Sequence, residues 1–164
     1  MIRVGLGYDV HPFGTEGALV LGGVIIEDAP ALEGHSDADV VAHAVADALL
    51  GPTELGDLGT LFPASDPAYA GASSIGLLAD VAARVAHEGW WIGNVDVAIA
   101  AERPKLGPHT ATMAANLATA LDVARQPMGR GIHVAVRPKS GEGLGFVGRA
   151  EGIAVWAVAL LERA

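Results

Sequence analysis

The chain has 164 residues, enough to bury the core of one domain, and its 19 acidic and 10 basic residues give a formal net charge of -9. This acidic balance, without a basic stripe, excludes a nucleic-acid-binding protein, and the absence of cysteine excludes disulfides and thiolate chemistry. Hydrophobic residues make up 51% of the chain and charged residues only 18%, so we expect an oligomer that buries apolar surface between its subunits.

The sequence also argues against a membrane partner. Residues 1–10 lack the apolar run of a signal sequence. The longest unbroken apolar run, residues 153–161, is too short to cross a bilayer. These two features predict a cytoplasmic protein.

The N-terminal half begins with predicted strands and continues into a helix. Residues 2–7 form the first predicted strand, and residues 18–26 form one or two more because Gly22 and Gly23 divide them. The sequence Ser36-Asp37-Ala38-Asp39 resembles a capping box, with Ser36 as the N-cap of a helix that ends at Gly51.

The C-terminal half continues the alternation of helices and strands. Its predicted elements are a helix at 74–88, a buried strand at 95–101, a helix from 108 to 120, a strand at 131–137 and a glycine-rich loop at 140–148. The apolar run 153–161 is a strand or a helix, because its periodicity does not distinguish the two. This order predicts one α/β (α+β) domain over residues 1–164, with a mixed sheet covered on one side by helices.

Asp9, His11 and His43 form a candidate metal site. Asp9 and His11 are two residues apart just after a strand, so their side chains project on the same side, and His43 lies in the first helix. Two imidazoles and one carboxylate suit zinc and leave a position open for substrate. Asp47, one helical turn beyond His43, is predicted to orient the imidazole of His43. The alternative is that these are structural histidines paired by chance.

Three further positions are candidates for phosphate or substrate contacts. His35 precedes a helix N-terminus, where backbone amides attract anions. Lys105 lies between two prolines on a short loop after the central strand, where it meets a phosphate or is simply solvated. Asp57 lies in a turn, for which an Asx turn is the structural explanation.

The segment from Gly143 to Gly148 matches the spacing G-x-G-x-x-G, but too few residues follow it to complete a dinucleotide-binding fold. We expect instead a tight loop whose amides approach a phosphate or whose Glu142 binds a cation. A plain hairpin loop is the alternative.

Several motifs, in order along nearly the whole chain, resemble the 2-C-methyl-D-erythritol 2,4-cyclodiphosphate synthase family of the non-mevalonate isoprenoid pathway. They are Gly5-Leu6-Gly7-Tyr8-Asp9-Val10-His11, Gly34-His35-Ser36-Asp37-Ala38-Asp39, the stretch 43–51, Leu61-Phe62-Pro63, Gly93-Asn94-Val95-Asp96-Val97, Pro104-Lys105 and Leu144-Gly145-Phe146. The resemblance implies a homotrimer with sheets facing the threefold axis, helices outside and active sites at subunit interfaces. It implies a phosphorus–oxygen lyase that converts 4-diphosphocytidyl-2-C-methyl-D-erythritol 2-phosphate to the 2,4-cyclodiphosphate and CMP.

The resemblance also implies roles for individual residues. Asp9, His11 and His43 would bind zinc or another divalent transition metal, and Glu142 would hold Mg²⁺ or Mn²⁺ at the substrate diphosphate. His35 and Ser140 would be catalytic. The implied substrate-binding residues are Asp9, Val10, His11, His35, Ser36, Asp57, Leu58, Gly59, Phe62, Asp66, Ala101, Lys105, Leu106, Lys139, Ser140, Gly141, Glu142, Phe146 and Arg149. Among these, Asp57 and Gly59 would bind the methylerythritol. The cytidine diphosphate would be surrounded by Ala101, Lys105 and Leu106. Phe146 and Arg149 would face the cavity along the trimer axis.

The sequence departs from the family in one loop. The family usually has three threonines before the equivalent of Glu142, whereas this chain has Lys139, Ser140 and Gly141. Two other functions therefore stay open: a zinc phosphoesterase that hydrolyses the diphosphate, and a degenerate trimer that binds without catalysis.

Overall fold

A four-stranded mixed sheet forms the centre of the computed structural model, which describes residues 1–122 and 131–163. The strands are β1 (Ile2–Pro12), β4 (Trp91–Ala100), β5 (His133–Lys139) and β6 (Gly152–Glu162), and a separate hairpin consists of β2 (Leu19–Leu21) and β3 (Val24–Ile26). The order is β1-β6-β4-β5, in which β6 is antiparallel to both of its neighbours and β4 is parallel to β5. The carboxyl ends of β1, β4 and β5 therefore lie at one edge of the sheet.

Three longer helices cover one face of this sheet. The helices are α1 (Val40–Thr53), the short α2 (Leu58–Leu61), α3 (Ser74–His87), α4 (Thr110–Leu121) and the short α5 (Gly145–Gly148), with 3₁₀ turns at Pro67–Tyr69 and Gly107–His109. Helix α1 packs on β1 and β6, α4 packs on β5, and α3 packs against α1 and α4. The predicted mixed sheet with helices on one side is confirmed.

Two glycines of β1 determine how closely α1 approaches the sheet. A Cβ atom at Gly5 would lie 1.8 Å from the carbonyl oxygen of Ala48, and one at Gly7 would lie 1.9 Å from that of Ala44. Any side chain at these positions would therefore collide with the backbone of α1. The glycines allow α1 to lie directly on β1, which brings His43 to the carboxyl end of that strand.

The start of α1 differs from the prediction. Asp39, not Ser36, is the N-cap, and its buried carboxylate accepts from the amides of Val41 and Ala42. The same carboxylate accepts from the amides of Gly22 and Gly23, 2.8 and 2.7 Å away in the β2–β3 turn. The capping-box prediction placed the helix start too early because this second set of donors comes from a distant turn.

Two predicted ends are too early: β1 continues to Pro12 and so contains Asp9 and His11, and α1 continues past Gly51 to Thr53. The remaining elements lie close to their predicted positions. The apolar run that periodicity left open is strand β6, which pairs along its length with β1 on one side and β4 on the other. The predicted glycine-rich loop contains the single turn α5, and a Cβ at Gly148 would lie 2.1 Å from the carbonyl carbon of Gly143. The loop is therefore folded tightly back on itself.

Within the described residues, none of the helices has both the length and the apolar character needed to cross a membrane. The cytoplasmic location stays a prediction.

Candidate metal centre and substrate site

Asp9, His11 and His43 converge at the carboxyl end of β1. Oδ2 of Asp9 lies 3.0 Å from Nε2 of His11 and 3.0 Å from Nδ1 of His43, and the two ring nitrogens are 3.4 Å apart. A tetrahedral zinc ion with bonds of about 2.0–2.1 Å places its ligand atoms about 3.3 Å from one another. The spacing of the three donor atoms therefore suits a zinc ion. Among the described residues, these three side chains form the one group of His, Asp and Glu that could hold a metal ion.

The electrostatics of this cluster are strongly perturbed. Burial alone would raise the pKa of Asp9, but hydrogen bonds from His11 and His43 outweigh it and hold that pKa well below its usual range. Burial would lower the pKa of His11, but its bonds to Asp9 and to the carbonyl of Glu33 raise it above 6.5. The site thus holds an ionised carboxylate and a proton that a cation would displace.

The outer nitrogen of each imidazole is also bonded. Nδ1 of His11 donates to the carbonyl oxygen of Glu33. Nε2 of His43 lies 2.9 Å from Oγ of Ser74 and 3.2 Å from Oγ of Ser36. The prediction that Asp47 orients His43 is wrong, because the Asp47 carboxylate instead accepts from the amide of Leu58 at 2.8 Å.

A cavity of about 190 Å³ opens beside the triad. Its lining residues are His11, His35, Ser36, His43, Leu58, Gly59, Phe62, Ala64, Tyr69 and Leu77. The structure therefore brings together two metal-ligand candidates and five of the other predicted site residues. Ala64, Tyr69 and Leu77 were not predicted, since nothing in the sequence pattern links them to the triad.

Three other predicted residues lie near this cavity without lining it. Asp57 caps α2 by accepting from the amide of Thr60 at 2.7 Å, and hydrogen bonds from Thr60 lower its pKa. The backbone carbonyl of Asp66 lies 3.2 Å from Nε2 of His35. Val10 donates its amide to Oδ1 of Asp9 at 2.9 Å, while its side chain is exposed.

A second group of predicted residues gathers at the carboxyl ends of β4 and β5. The amide of Ala101 donates to the carbonyl of Lys139 at 2.9 Å, which joins the two loops. Ser140 donates its hydroxyl to the Glu142 carboxylate, and Gly141 donates its amide to the carboxylate of Glu102 at 2.9 Å. In this group Leu106 is buried, whereas Lys105, Lys139, Ser140 and Glu142 are exposed.

Phe146 and Arg149 lie at the same edge of the sheet, around α5 just before β6. Phe146 is 37% exposed. The Arg149 guanidinium is paired with Glu151 at 2.8 Å, and this ion pair lowers the pKa of the Glu151 carboxyl group.

The two groups are separate within one protomer. Strand β1, which carries Asp9 and His11 of the metal triad, lies at one margin of the sheet, and β5, which leads into the Ser140–Glu142 loop, lies at the other, with β6 and β4 between them. Neighbouring strands are roughly 4.8 Å apart, so the two margins are about 14 Å apart. None of the second group lines the described cavity beside the triad.

Three residues with clear contacts at the site were missed by sequence reasoning. Ser74 and Asp37 are connected to His43, and Glu102 holds the amide of Gly141. Ser74 and Asp37 looked only like helix-start residues, and Glu102 carried no signal at all, because each contact depends on the tertiary arrangement.

One known protein family matches nearly the whole chain. The sequence profile of the YgbB family matches residues 2–162. The chain belongs to the YgbB family. A 2-C-methyl-D-erythritol 2,4-cyclodiphosphate synthase from Thermosynechococcus vestitus is 51% identical over 161 residues, which cover 98% of this chain and 96% of that protein.

Solved structures of similar proteins share the fold. The bifunctional IspDF from Campylobacter jejuni has a TM-score of 0.90 and 37% identity, and the match covers 100% of this chain and 43% of that one. A CDP complex of IspF from Plasmodium falciparum has a TM-score of 0.81 and 30% identity, over 99% of this chain and 96% of that one.

Proposed function

We propose that the protein is an enzyme that converts 4-diphosphocytidyl-2-C-methyl-D-erythritol 2-phosphate to 2-C-methyl-D-erythritol 2,4-cyclodiphosphate and CMP. The observation that carries this proposal is the Asp9–His11–His43 cluster beside a cavity of about 190 Å³. The full-length similarity to a synthase named for this product supports the same conclusion.

The reaction needs little covalent chemistry from the protein. An oxygen of the substrate's 2-phosphate forms a bond to the β-phosphorus of the diphosphate, and the bond from that phosphorus to the CMP oxygen breaks. CMP leaves with the electron pair, so no water is consumed and the enzyme is a phosphorus–oxygen lyase. Because both reacting groups belong to one molecule, the protein has only to fold the substrate and offset phosphate charge.

The metal-binding residues suit this task. Asp9, His11 and His43 would hold zinc or another divalent transition metal, and Glu142 would hold Mg²⁺ or Mn²⁺ together with the diphosphate. When bound, these ions supply positive charge and orientation to phosphate oxygens.

The remaining residues of the two groups would bind and position the substrate. His35, at the rim of the cavity, would donate to the phosphate that gains charge, and Ser140 would donate from the opposite loop. Asp57 and Gly59 would bind hydroxyl groups of the methylerythritol. Ala101, Lys105 and Leu106 would contact the cytidine diphosphate, with the Lys105 ammonium near its phosphates.

A homotrimer would complete the site. The two groups of residues lie at opposite margins of the same sheet, so one protomer alone does not surround a substrate with both. A neighbouring protomer could place its Ser140–Glu142 loop opposite the Asp9–His11–His43 cluster. The exposed apolar face of β1 and β6, which carries Val4, Leu6, Tyr8, Trp156 and Val158, would pack around the threefold axis, near Phe146 and Arg149.

The test is incubation of the purified protein with the cytidyl substrate and both metal ions. We expect release of CMP and two phosphorus NMR signals from a ring diphosphate. An open-chain diphosphate or free phosphate would instead identify a hydrolase, and the absence of any CMP would identify a binding protein.

A further inference from the structure

His43 is connected to a partly buried chain of hydrogen bonds on the side away from the metal triad. Its Nε2 lies 2.9 Å from Oγ of Ser74, the first residue of α3, which is 1% exposed. The Ser74 hydroxyl donates to Oδ1 of Asp37, and the Ser74 amide donates to Oδ2 of the same carboxylate at 3.1 Å. Asp37 therefore binds both polar groups of Ser74.

The direction of these bonds follows from counting protons. The carboxylate of Asp37 only accepts, so the single hydroxyl proton of Ser74 points toward Asp37. The oxygen of Ser74 then faces His43 as an acceptor, and Nε2 of His43 must carry the proton. Nδ1 of His43 faces the metal cluster, 3.0 Å from the Asp9 carboxylate and 3.4 Å from Nε2 of His11, and a cation bound there would replace its hydrogen bond to Asp9.

Ser36 does not disturb this direction. Its hydroxyl oxygen accepts from the amide of Ala38 at 3.3 Å and lies 3.0 Å from Oγ of Ser74. Ser36 can therefore donate to Ser74, whose oxygen accepts from both Ser36 and His43. His11 needs no such chain, because the carbonyl of Glu33, which only accepts, already places the proton on its Nδ1.

We propose that Asp37 and Ser74 are positioning residues that fix His43 as the Nε2–H tautomer and so make Nδ1 its metal-binding atom. This inference rests on the metal centre of the proposed function. Outer partners of this kind typically contribute 10–100-fold to metal affinity, because they hold the ring in orientation and tautomer.

Two substitutions break the chain in different ways. Ser74→Ala removes the nearer acceptor of the Nε2 proton and leaves only the Ser36 oxygen, 3.2 Å away. Asp37→Asn keeps the shape of the side chain, but its amide can donate to the Ser74 oxygen and turn the serine proton toward His43. That reversal favours the Nδ1–H tautomer, just as an Asp to Asn change in the serine protease triad favours the wrong histidine tautomer.

Ser73→Ala is the matched control. Ser73 is the neighbouring N-cap of α3, and its hydroxyl accepts from the amide of Gly76 at 3.4 Å without contacting His43. Any change in the zinc affinity of Ser73→Ala would therefore come only from a less stable N-terminus of α3. Circular dichroism would establish that each variant is folded, and Asp37→Asn provides a test that is independent of the buried Ser74 substitution.

The first measurement is zinc transfer from the loaded full-length protein to a chromophoric chelator. We expect Ser74→Ala and Asp37→Asn to bind zinc 10–100-fold more weakly than the parent, and Ser73→Ala to match the parent. The second measurement is a long-range ¹H–¹⁵N NMR spectrum of the zinc-loaded protein. In the parent we expect a signal from the Nε2 proton of His43, because its hydrogen bond protects it from exchange with water. In Ser74→Ala this signal should disappear, while the signal of the Nδ1 proton of His11 should not change.

The outcomes separate the inference from the function on which it depends. If His43→Ala lowers zinc affinity but Ser74→Ala and Asp37→Asn behave like Ser73→Ala, the positioning role is wrong and the metal centre stands. If the parent binds zinc no more tightly than His43→Ala, the metal centre is wrong and the inference fails with it.

Discussion

At the scale of single residues, one carboxylate oxygen organises the candidate metal centre. Oδ2 of Asp9 bonds to both imidazoles, while Oδ1 is occupied by the amide of Val10. The exposed fractions of the three side chains are 27% for Asp9, 16% for His11 and 13% for His43, so most of the cluster is shielded from water. A cation that enters must displace the proton shared within this cluster.

This competition predicts that zinc affinity depends on pH. The pKa of His11 is raised above 6.5, and protonated His11 does not bind metal. Affinity should therefore fall about tenfold per pH unit as the pH drops below this raised pKa, and level off above it. Chelator competition between pH 5.5 and 8.5, corrected for protonation of the chelator, measures this. An affinity that stays constant between pH 5.5 and 7 would contradict the assignment of His11 as a ligand.

Ser140 lies in the Lys139–Gly141 stretch, where the sequence is expected to differ from the three threonines of the family. Its hydroxyl donates to Glu142, so it is already directed toward the proposed diphosphate-binding carboxylate. Loss of one donor to charge that develops in the transition state costs roughly 3 kcal/mol, or about a hundredfold in rate. We expect Ser140→Ala to lower kcat by this factor and Ser140→Thr to preserve or improve it, as measured by CMP release.

Zinc content serves as the control for this series, since neither change touches the metal triad. If Ser140→Ala has the parent's kcat with unchanged zinc, Ser140 has no catalytic role and Lys139, whose charge could reach the same phosphate, becomes the candidate.

At the scale of elements, the site depends on the contact between α1 and β1. Asp9 and His11 belong to the strand and His43 to the helix, so their spacing is set by how closely the two elements pack. Gly7 makes that contact possible, because a Cβ there would lie 1.9 Å from the carbonyl oxygen of Ala44, next to His43 in the chain.

Gly7→Ala should therefore damage both stability and metal binding. The added methyl must push α1 from β1, which we expect to cost about 3 kcal/mol of unfolding free energy and to separate His43 from Asp9. Gly51→Ala is the matched control in the same helix. A Cβ at Gly51 meets nothing within 4 Å, and Ala in place of a helical Gly should stabilise the protein by roughly 0.5–1 kcal/mol.

Denaturant unfolding and elemental analysis measure the two effects. Full zinc occupancy in Gly7→Ala would show that α1 need not approach β1 so closely.

The elements were largely predictable because each carries a local signal. Strand periodicity, the glycine after α3 and apolar spacing located the start of β1, the β2–β3 hairpin and the three longer helices. The predicted N-cap of α1 was wrong because the Asp39 carboxylate accepts hydrogen bonds from the amides of Gly22 and Gly23 as well as from amides of its own helix. The role of Asp47 was wrong because helical spacing alone does not reveal a competing donor, here the amide of Leu58.

At the scale of the whole molecule, an apolar face of the sheet has no covering layer among the described residues. Leu6 is 68% exposed and Val4 is 66% exposed, and Tyr8 stacks against Trp156 across the β1–β6 pair at 5.2 Å between ring centroids. Exposed apolar patches on sheets typically mark contacts between subunits. This face is the basis for the proposed trimer.

Leu6→Asp should therefore dissociate the assembly. A charge buried against two other copies of the same face is costly, so we expect light scattering to report the 16.6 kDa protomer in place of about three times that mass. Ile25→Asp is the control, because Ile25 is 65% exposed on the separate hairpin. A parent protein that is already monomeric at micromolar concentration would contradict the trimer.

Residue spacing does not reveal that the two groups of site residues lie apart within one protomer. The residues of both groups were identified through family motifs, but only the strand order β1-β6-β4-β5 shows that Asp9 and Ser140 lie at opposite margins of one sheet. Strand order is a long-range property, which local pattern does not encode. From the strand order we expect one protomer to supply the metal ligands of each site and its neighbour to supply the Ser140–Glu142 loop.

That expectation is tested most directly by mixed trimers. The His43→Ala and Glu142→Gln variants should each be inactive as homotrimers, and co-expression of the two in equal amounts gives a random mixture of trimers. In every mixed trimer one of three interfaces pairs intact metal ligands with an intact loop, so an equal random mixture should regain about a quarter of the parent's CMP-releasing activity. If the mixture is no more active than the two variants assayed separately, the site is not shared between protomers, and the proposed trimeric site is wrong.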